Sequence, residues 1–273
     1  MLIARILTAV GLLAVLIPVV MVGPVWLWGL VSLLLLIIAY AEWSRLVSGK
    51  LPGLLKLAAT TASGIAVVAL VPSGNVPQPI LIAACFPPML FWLVEAPRRL
   101  RRHQASTGRC ALALWLLGAC WLALYDLRGG GPAVLVTAMA IVWVADIAAY
   151  FAGRSFGRRK LAPTISPGKS WEGVIAGMMA VAVLGVVSAQ FAPLAGTLPA
   201  LLLVHYGVAA ALLILALLAG LSVVGDLFES LLKREAGVKD SGTLLPGHGG
   251  ALDRIDALIP TMPVVALLHQ LLR

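Results

Sequence analysis

Apolar residues run along this chain in blocks of about 20, the length a helix needs to cross the hydrocarbon core of a bilayer. Nine such blocks can be marked out, at roughly 3–22, 24–41, 55–72, 79–96, 109–126, 132–152, 173–192, 199–225 and 255–272. The first two are separated only by the turn at Gly23-Pro24 and read as a helical hairpin. Arg5 ahead of an apolar run resembles the start of a signal peptide, but the run is long, lacks a small-residue cleavage site and is followed at once by further spans. It is expected to be a retained helix. The pattern predicts an all-α polytopic integral membrane protein of about nine transmembrane helices.

The polar residues fall unevenly between those blocks. Basic loops alternate with nearly uncharged ones: Arg5; then Arg45, Lys50 and Lys56; then Arg98, Arg99, Arg101, Arg102 and Arg109; then Arg154, Arg158, Arg159, Lys160 and Lys169; then Lys233, Arg234, Lys239 and Arg254. The intervening turns carry only Arg128 beside Asp126, and the terminal Arg273. That alternation predicts a cytoplasmic N-terminus, a C-terminus outside, and basic loops facing anionic membrane lipids. A composition of 61% hydrophobic and 11% charged residues excludes a soluble domain, so the net charge of +9 does not point to nucleic acid. Cys85, Cys110 and Cys120 lie inside apolar blocks without metal-ligand spacing and read as small buried hydrophobes.

Only Glu42, Glu95 and Asp126 are acidic before Asp146, each near a block end, where an interfacial role is the plain reading. From Asp146 onward polar residues gather in two segments expected to be cytoplasmic, 153–172 and 226–256. The chain therefore reads as one membrane domain over 1–273, with helices of 1–130 as scaffold or lipid wall and those of 131–273 as the catalytic body. Asp146 sits inside a span, where an ionisable residue costs about 2.5–3.5 kcal/mol on insertion scales, so it is a candidate functional group. The competing reading pairs it structurally with Arg154 or a neighbouring helix. Lys160, Ser166, Lys169 and Ser170 follow, and Pro167 suits the first turn of a helix, which would place the Lys169 ammonium at a helix N-terminus suited to phosphate. The G-K-S tripeptide is not a P-loop, because Pro163 replaces the required glycine and no strand precedes it.

In the second segment Asp226, Glu229 and Lys233 share one helix face, so the carboxylates can meet a divalent cation and Lys233 a phosphate. A simple Glu229–Lys233 surface pair is the alternative. Glycines around His248, at Gly247, Gly249 and Gly250, let the backbone approach an anion. Asp253 and Asp256 begin the last span. Asp226 with Asp253 would suffice for Mg²⁺, which takes a few carboxylates plus substrate phosphates.

Read together, the segments resemble the phosphatidate cytidylyltransferase (CDP-diacylglycerol synthase) family. Its signature of S-x-hydrophobic-K-R, four residues, K-D, then P-x-H-G-G and D-R-hydrophobic-D is matched over 230–256, with Ala251 where a larger aliphatic residue is usual. G-D-x-x-E-S matches at 225–230, S-P-G-K-[ST]-x-x-G at 166–173, and Glu42-Trp43 is also family-like. The resemblance implies transfer of CMP from CTP to phosphatidic acid, with Mg²⁺ at Asp226 and Asp253, K⁺ as a companion ion, and homodimers in a bacterial inner membrane with the site facing the cytoplasm. It also implies catalytic roles for Lys233, Arg234, Lys239, Asp240, His248, Arg254 and Asp256. Substrate or phosphate contact is implied for Asp146, Arg154, Lys160, Ser166, Lys169, Ser170, Glu229, Ser230, Gly249 and Gly250. A transporter is disfavoured because polar groups crowd one face and no repeated halves are evident. A polyprenol kinase is disfavoured by the long D-R-x-D signature.

Overall fold

The computed structural model describes residues 2–105, 110–242 and 249–273, without the side chains of residues 2–9 and 12; Arg109 and His248 lie outside the described residues. Among the described residues helices dominate. They are α1 (Leu2–Met21), α2 (Val25–Ser48), α3 (Leu54–Leu70), α4 (Gln78–Leu90), α5 (Ala96–Arg102), α6 (Cys110–Gly129), α7 (Pro132–Phe156), α8 (Trp171–Ser188), α9 (Leu198–Glu235), α10 (Leu252–Ile255) and α11 (Leu258–Leu272). Among the described residues six stretches are, by length and composition, long and apolar enough to cross a membrane: α2, the run from α4 through α5, and α6, α7, α8 and α9. Helices α3 and α11 are apolar but shorter. Met179, Val183, Leu213 and Leu217 stay exposed on α8 and α9, an apolar surface suited to lipid rather than water.

Local chemistry explains where helices bend. Pro87 and Pro88 remove two backbone donors from α4, and the ladder loosens directly after them into a π-helical turn at Phe91–Glu95. The block expected at 199–225 is not a straight span, because α9 breaks at Gly207, whose φ of 74° glycine adopts without steric cost. From Val208 to Glu235 the helix is about 42 Å long at 1.5 Å per residue, more than a hydrocarbon core of about 30 Å. Its last turns, from Asp226 on, therefore reach the polar zone.

Between α7 and α8 the chain forms an antiparallel hairpin, β1 (Lys160–Ala162) against β2 (Ser166–Ser170), with Lys160 opposite Ser170 and Ala162 opposite Ser166. This corrects the expectation that Pro167 opens a helix. The backbone of β2 is engaged by β1, and the pairing continues in the bond from the Trp171 N–H to the Arg159 carbonyl (2.9 Å). Helix α8 starts only at Trp171, with Ser170 as its N-cap: the Ser170 hydroxyl accepts from the Gly173 N–H at 3.2 Å. The Glu172 carboxylate accepts from the Arg158 and Arg159 N–H groups (3.2 Å each), tying the hairpin entry to α8.

The helices behind the site pack through small residues. A Cβ on Gly173 would strike the Ala149 carbonyl, and one on Gly225 would strike the Asp256 carbonyl and Pro260, so α7–α8 and α9–α11 approach more closely than larger residues permit. Phe228 of α9 is fully buried in an aromatic cluster, its ring centroid 5.3 Å from Trp92, 5.8 Å from Phe91 and 6.1 Å from Trp43. That cluster seats the end of α2 against the end of α9.

Candidate active site

A cavity of about 640 Å³ lies between α7, the hairpin, α8, α9 and the turn at α10. Its polar lining draws Asp146 and Arg154 from α7, Lys160, Ser166, Lys169 and Ser170 from the hairpin, Asp226 from α9, and Asp253 and Asp256 from the final segment. Four separate stretches of sequence thus converge on one end of the helix bundle.

Two ion-pair systems organise this end. In the first, Lys169 Nζ stands 2.6 Å from Asp226 Oδ2, while the Ser230 hydroxyl donates to Asp226 Oδ1 at 3.3 Å. The Asp256 carboxylate faces the charges of Asp226, Lys169 and Asp146, and its own Oδ1 accepts from the Ala257 N–H at 2.7 Å. Lys169 is thus paired with Asp226 and within electrostatic reach of Asp146 and Asp256. It precedes the Ser170 N-cap of α8, and its ammonium reaches across to Asp226 of α9.

In the second, Lys233 Nζ bridges Glu229 (2.5 Å) and Asp253 Oδ1 (2.6 Å), with Glu229 buried. The expected surface pair of Glu229 and Lys233 is therefore a three-membered, largely enclosed system. Asp253 Oδ2 accepts from the Gly250 N–H (2.8 Å), the Ser241 N–H (3.0 Å) and the Ser241 hydroxyl (3.0 Å). Burial pushes the Asp253 carboxyl upward, but the Lys233 ammonium and these backbone donors outweigh it and hold its pKa down at about 2. Asp253 is a firmly ionised acceptor at neutral pH.

Other expected residues stand elsewhere. Arg234 reaches the Ile165 carbonyl with Nε (3.4 Å) and the Val238 carbonyl (3.3 Å), fastening the hairpin tip to α9 rather than lining the cavity. Lys239 and Asp240 are exposed and outside its lining. Arg254 lies on the other side of α10, at a second, apolar cavity of about 210 Å³ lined by Leu16, Trp28, Trp121, Trp143 and Leu258 among others. Gly249, with φ 84°, fits the glycine-dependent turn expected there, close to Asp253 and Asp240.

Over residues 3–272 the sequence matches the model of the cytidylyltransferase family. The chain belongs to that family. Among curated relatives of this cytidylyltransferase-family chain, the phosphatidate cytidylyltransferase of Pseudomonas aeruginosa is 39% identical over 237 residues, 83% of this chain and 82% of the relative. That of Haemophilus influenzae is 47% identical over 133 residues, covering 49% of this chain and 44% of the relative. That of Staphylococcus epidermidis is 36% identical over 159 residues, 58% of this chain and 57% of the relative.

One residue with an expected interfacial role stands instead at the site end. Glu42 on α2 is buried at 4% exposure and accepts from the N–H groups of Ala251 (3.1 Å) and Leu252 (2.8 Å) and from the Ser241 hydroxyl (3.0 Å). Its partners lie about 200 residues away, so no local pattern reveals them. The available signals were its isolation, as the single acid before Glu95, and its place in the family-like Glu42-Trp43 pair.

Proposed function

We propose that the chain transfers CMP from CTP to phosphatidic acid, yielding CDP-diacylglycerol and pyrophosphate. The observation that carries this is a family match along nearly the whole chain together with one charged cavity lined by Lys169, Asp226, Asp253 and Asp256 from its signature segments. A phosphate monoester has its second pKa near 6, so the lipid headgroup is a dianionic nucleophile at neutral pH without a protein base. One of its oxygens bonds to the α-phosphorus of CTP as the bond from that phosphorus to the pyrophosphate oxygen breaks. The protein's work is to position two anionic reactants and to offset their charge.

Lys169, Arg154 and Lys160 hold phosphate oxygens in this reading, and incoming phosphates take Lys169 from Asp226. Mg²⁺ fits the donor set. Among the described residues no three His, Cys, Asp or Glu groups come together as a cage, whereas Mg²⁺ characteristically takes one or two carboxylates plus substrate phosphates. Asp226 and Asp253 would hold it, and it would supply charge neutralisation at the reacting phosphates. Asp146 and Asp256 complete the carboxyl lining of the cavity, and K⁺ serves as a companion ion. Lys233 keeps Asp253 oriented, Arg234 secures the hairpin, and Lys239 and Asp240 act from outside the lining, while Arg254 faces the apolar cavity on the other side of α10.

The helices of 1–130 form the lipid-facing scaffold and those of 131–273 the catalytic body, in a homodimer of nine-span subunits. The N-terminus and the cavity face the cytoplasm of a bacterial inner membrane, where CTP arrives from water while acyl chains stay in the bilayer. Positive loop charge supports that orientation. A cysteine placed in the 153–170 segment should react with an impermeant reagent only from the cytoplasmic side, and one replacing Ala195 only from the other. Labelling of both from one side contradicts it. The reaction itself is tested with purified protein, CTP labelled at the α-phosphate, and phosphatidic acid. Labelled lipid should form only when both substrates and Mg²⁺ are present, and its absence refutes the assignment.

A further inference from the structure

We infer that Glu42 is a positioning residue: from the scaffold half of the chain it sets the backbone that presents Asp253 to the cavity. The donors of the final turn are divided between two carboxylates. The N–H of Gly250 goes to Asp253, while the next two, of Ala251 and Leu252, go to Glu42. Ser241 stands between them, its hydroxyl 3.0 Å from Glu42 Oε2 and 3.0 Å from Asp253 Oδ2. A hydroxyl has a single proton to donate, so it serves one acceptor at a time and couples the two groups.

The glycines here follow from this arrangement. A Cβ on Gly250 would collide with the Ser241 hydroxyl and with Glu42, and one on Gly242 would collide with Glu42. Both are bare because a buried carboxylate comes in against the main chain. Trp43, fully buried beside Phe228, fixes α2 on the flank of Glu42. An unpaired donor in such a buried place is costly, so the turn stays on Glu42. Asp253 lies one residue beyond Leu252 and moves with it.

Glu42→Gln tests this, because it preserves shape while turning an NH₂ group toward a backbone donor. Resting on the proposed reaction, kcat for CMP transfer should fall by about 10–100-fold, as for a catalytic group displaced by roughly 1 Å. The KM for CTP should move by less than about threefold, since Glu42 does not touch the nucleotide. Gly242→Ala, which crowds the carboxylate without removing it, should give the same split if Glu42→Gln fails to accumulate. Independently of activity, hydrogen exchange at Ala251 and Leu252 should accelerate by about 10-fold or more in either variant. Unchanged exchange at those amides overturns the inference, as does a wild-type kcat per folded molecule. Faster exchange in a protein whose wild type makes no labelled lipid would sink the proposed reaction and leave Glu42 as the positioning group of the turn.

Discussion

The two ends of the helix bundle use similar residues in opposite ways. At the cavity end, charged side chains pair with one another: Lys169 with Asp226, and Lys233 with Glu229 and Asp253. At the far end, polar side chains close on single backbone groups. Asp126 accepts from the Val76 N–H (3.1 Å), Arg128 donates to the Gly23 carbonyl (2.8 Å), and His269 contacts the Gly196 carbonyl (3.0 Å). A charge pair beside a cavity can exchange its partner for an incoming ion or phosphate. A side chain locked onto main chain in a buried place cannot do so without leaving that main chain unsatisfied. The cavity end has main-chain anchors as well, Asp253 on Gly250 and Ser241 and Glu42 on Ala251 and Leu252, but it adds charge pairs to them, and those pairs are what an incoming ion or phosphate can exchange.

That contrast is broken most severely by Asp226→Asn or Asp253→Asn. Each should reduce CMP transfer by at least about 1000-fold while the protein remains inserted and folded, because each removes a charge that the proposed mechanism gives to Mg²⁺ and the phosphates. Near-normal turnover at limiting Mg²⁺ in either variant would remove the metal assignment. Lys169→Ala should lower kcat/KM by about 100-fold, the scale of one lost electrostatic contact to a developing charge. Under the proposed direct attack by the lipid phosphate, a milder loss, about 10-fold, is expected for His248→Asn, with inversion at the α-phosphorus. Net retention with a chiral α-thiophosphate, or labelled enzyme trapped without lipid, would show a covalent histidine instead.

At the anchoring end the expected effect changes kind. Asp126→Ala leaves the buried Val76 N–H without its acceptor and should cost about 1–3 kcal/mol of stability. It should appear as a lower apparent melting temperature in detergent, with kcat within about twofold of wild type.

Much of this division was legible in the sequence, though for different reasons in different places. Apolar blocks disclose helices because a span must satisfy its own backbone, and that requirement is local. Asp226, Glu229 and Lys233 were placed on one face by helical spacing alone, and the face is there. The hairpin was missed because Ser166-Pro167-Gly168 is locally compatible with a helix start, and only Arg159 and Lys160 across the strand decide otherwise. Gly207 was hidden inside an apolar run, where a glycine is common and a break is not marked. The engagement of Lys169 by Asp226 and of Glu42 by Ala251 and Leu252 joins residues far apart in the chain, so neither could be read from periodicity. The family signature identified the reacting end, but it could not show that the scaffold half holds that end in place.

The most direct single measurement is CMP transfer and thermal unfolding determined side by side for Asp226→Asn and Asp126→Ala in one preparation. The expected result is a crossed pattern: Asp226→Asn melts like wild type and makes no CDP-diacylglycerol, whereas Asp126→Ala melts earlier and turns over normally. Turnover by Asp226→Asn, or an inactive but fully stable Asp126→Ala, would contradict the assignment of chemistry to one end of the bundle and anchorage to the other.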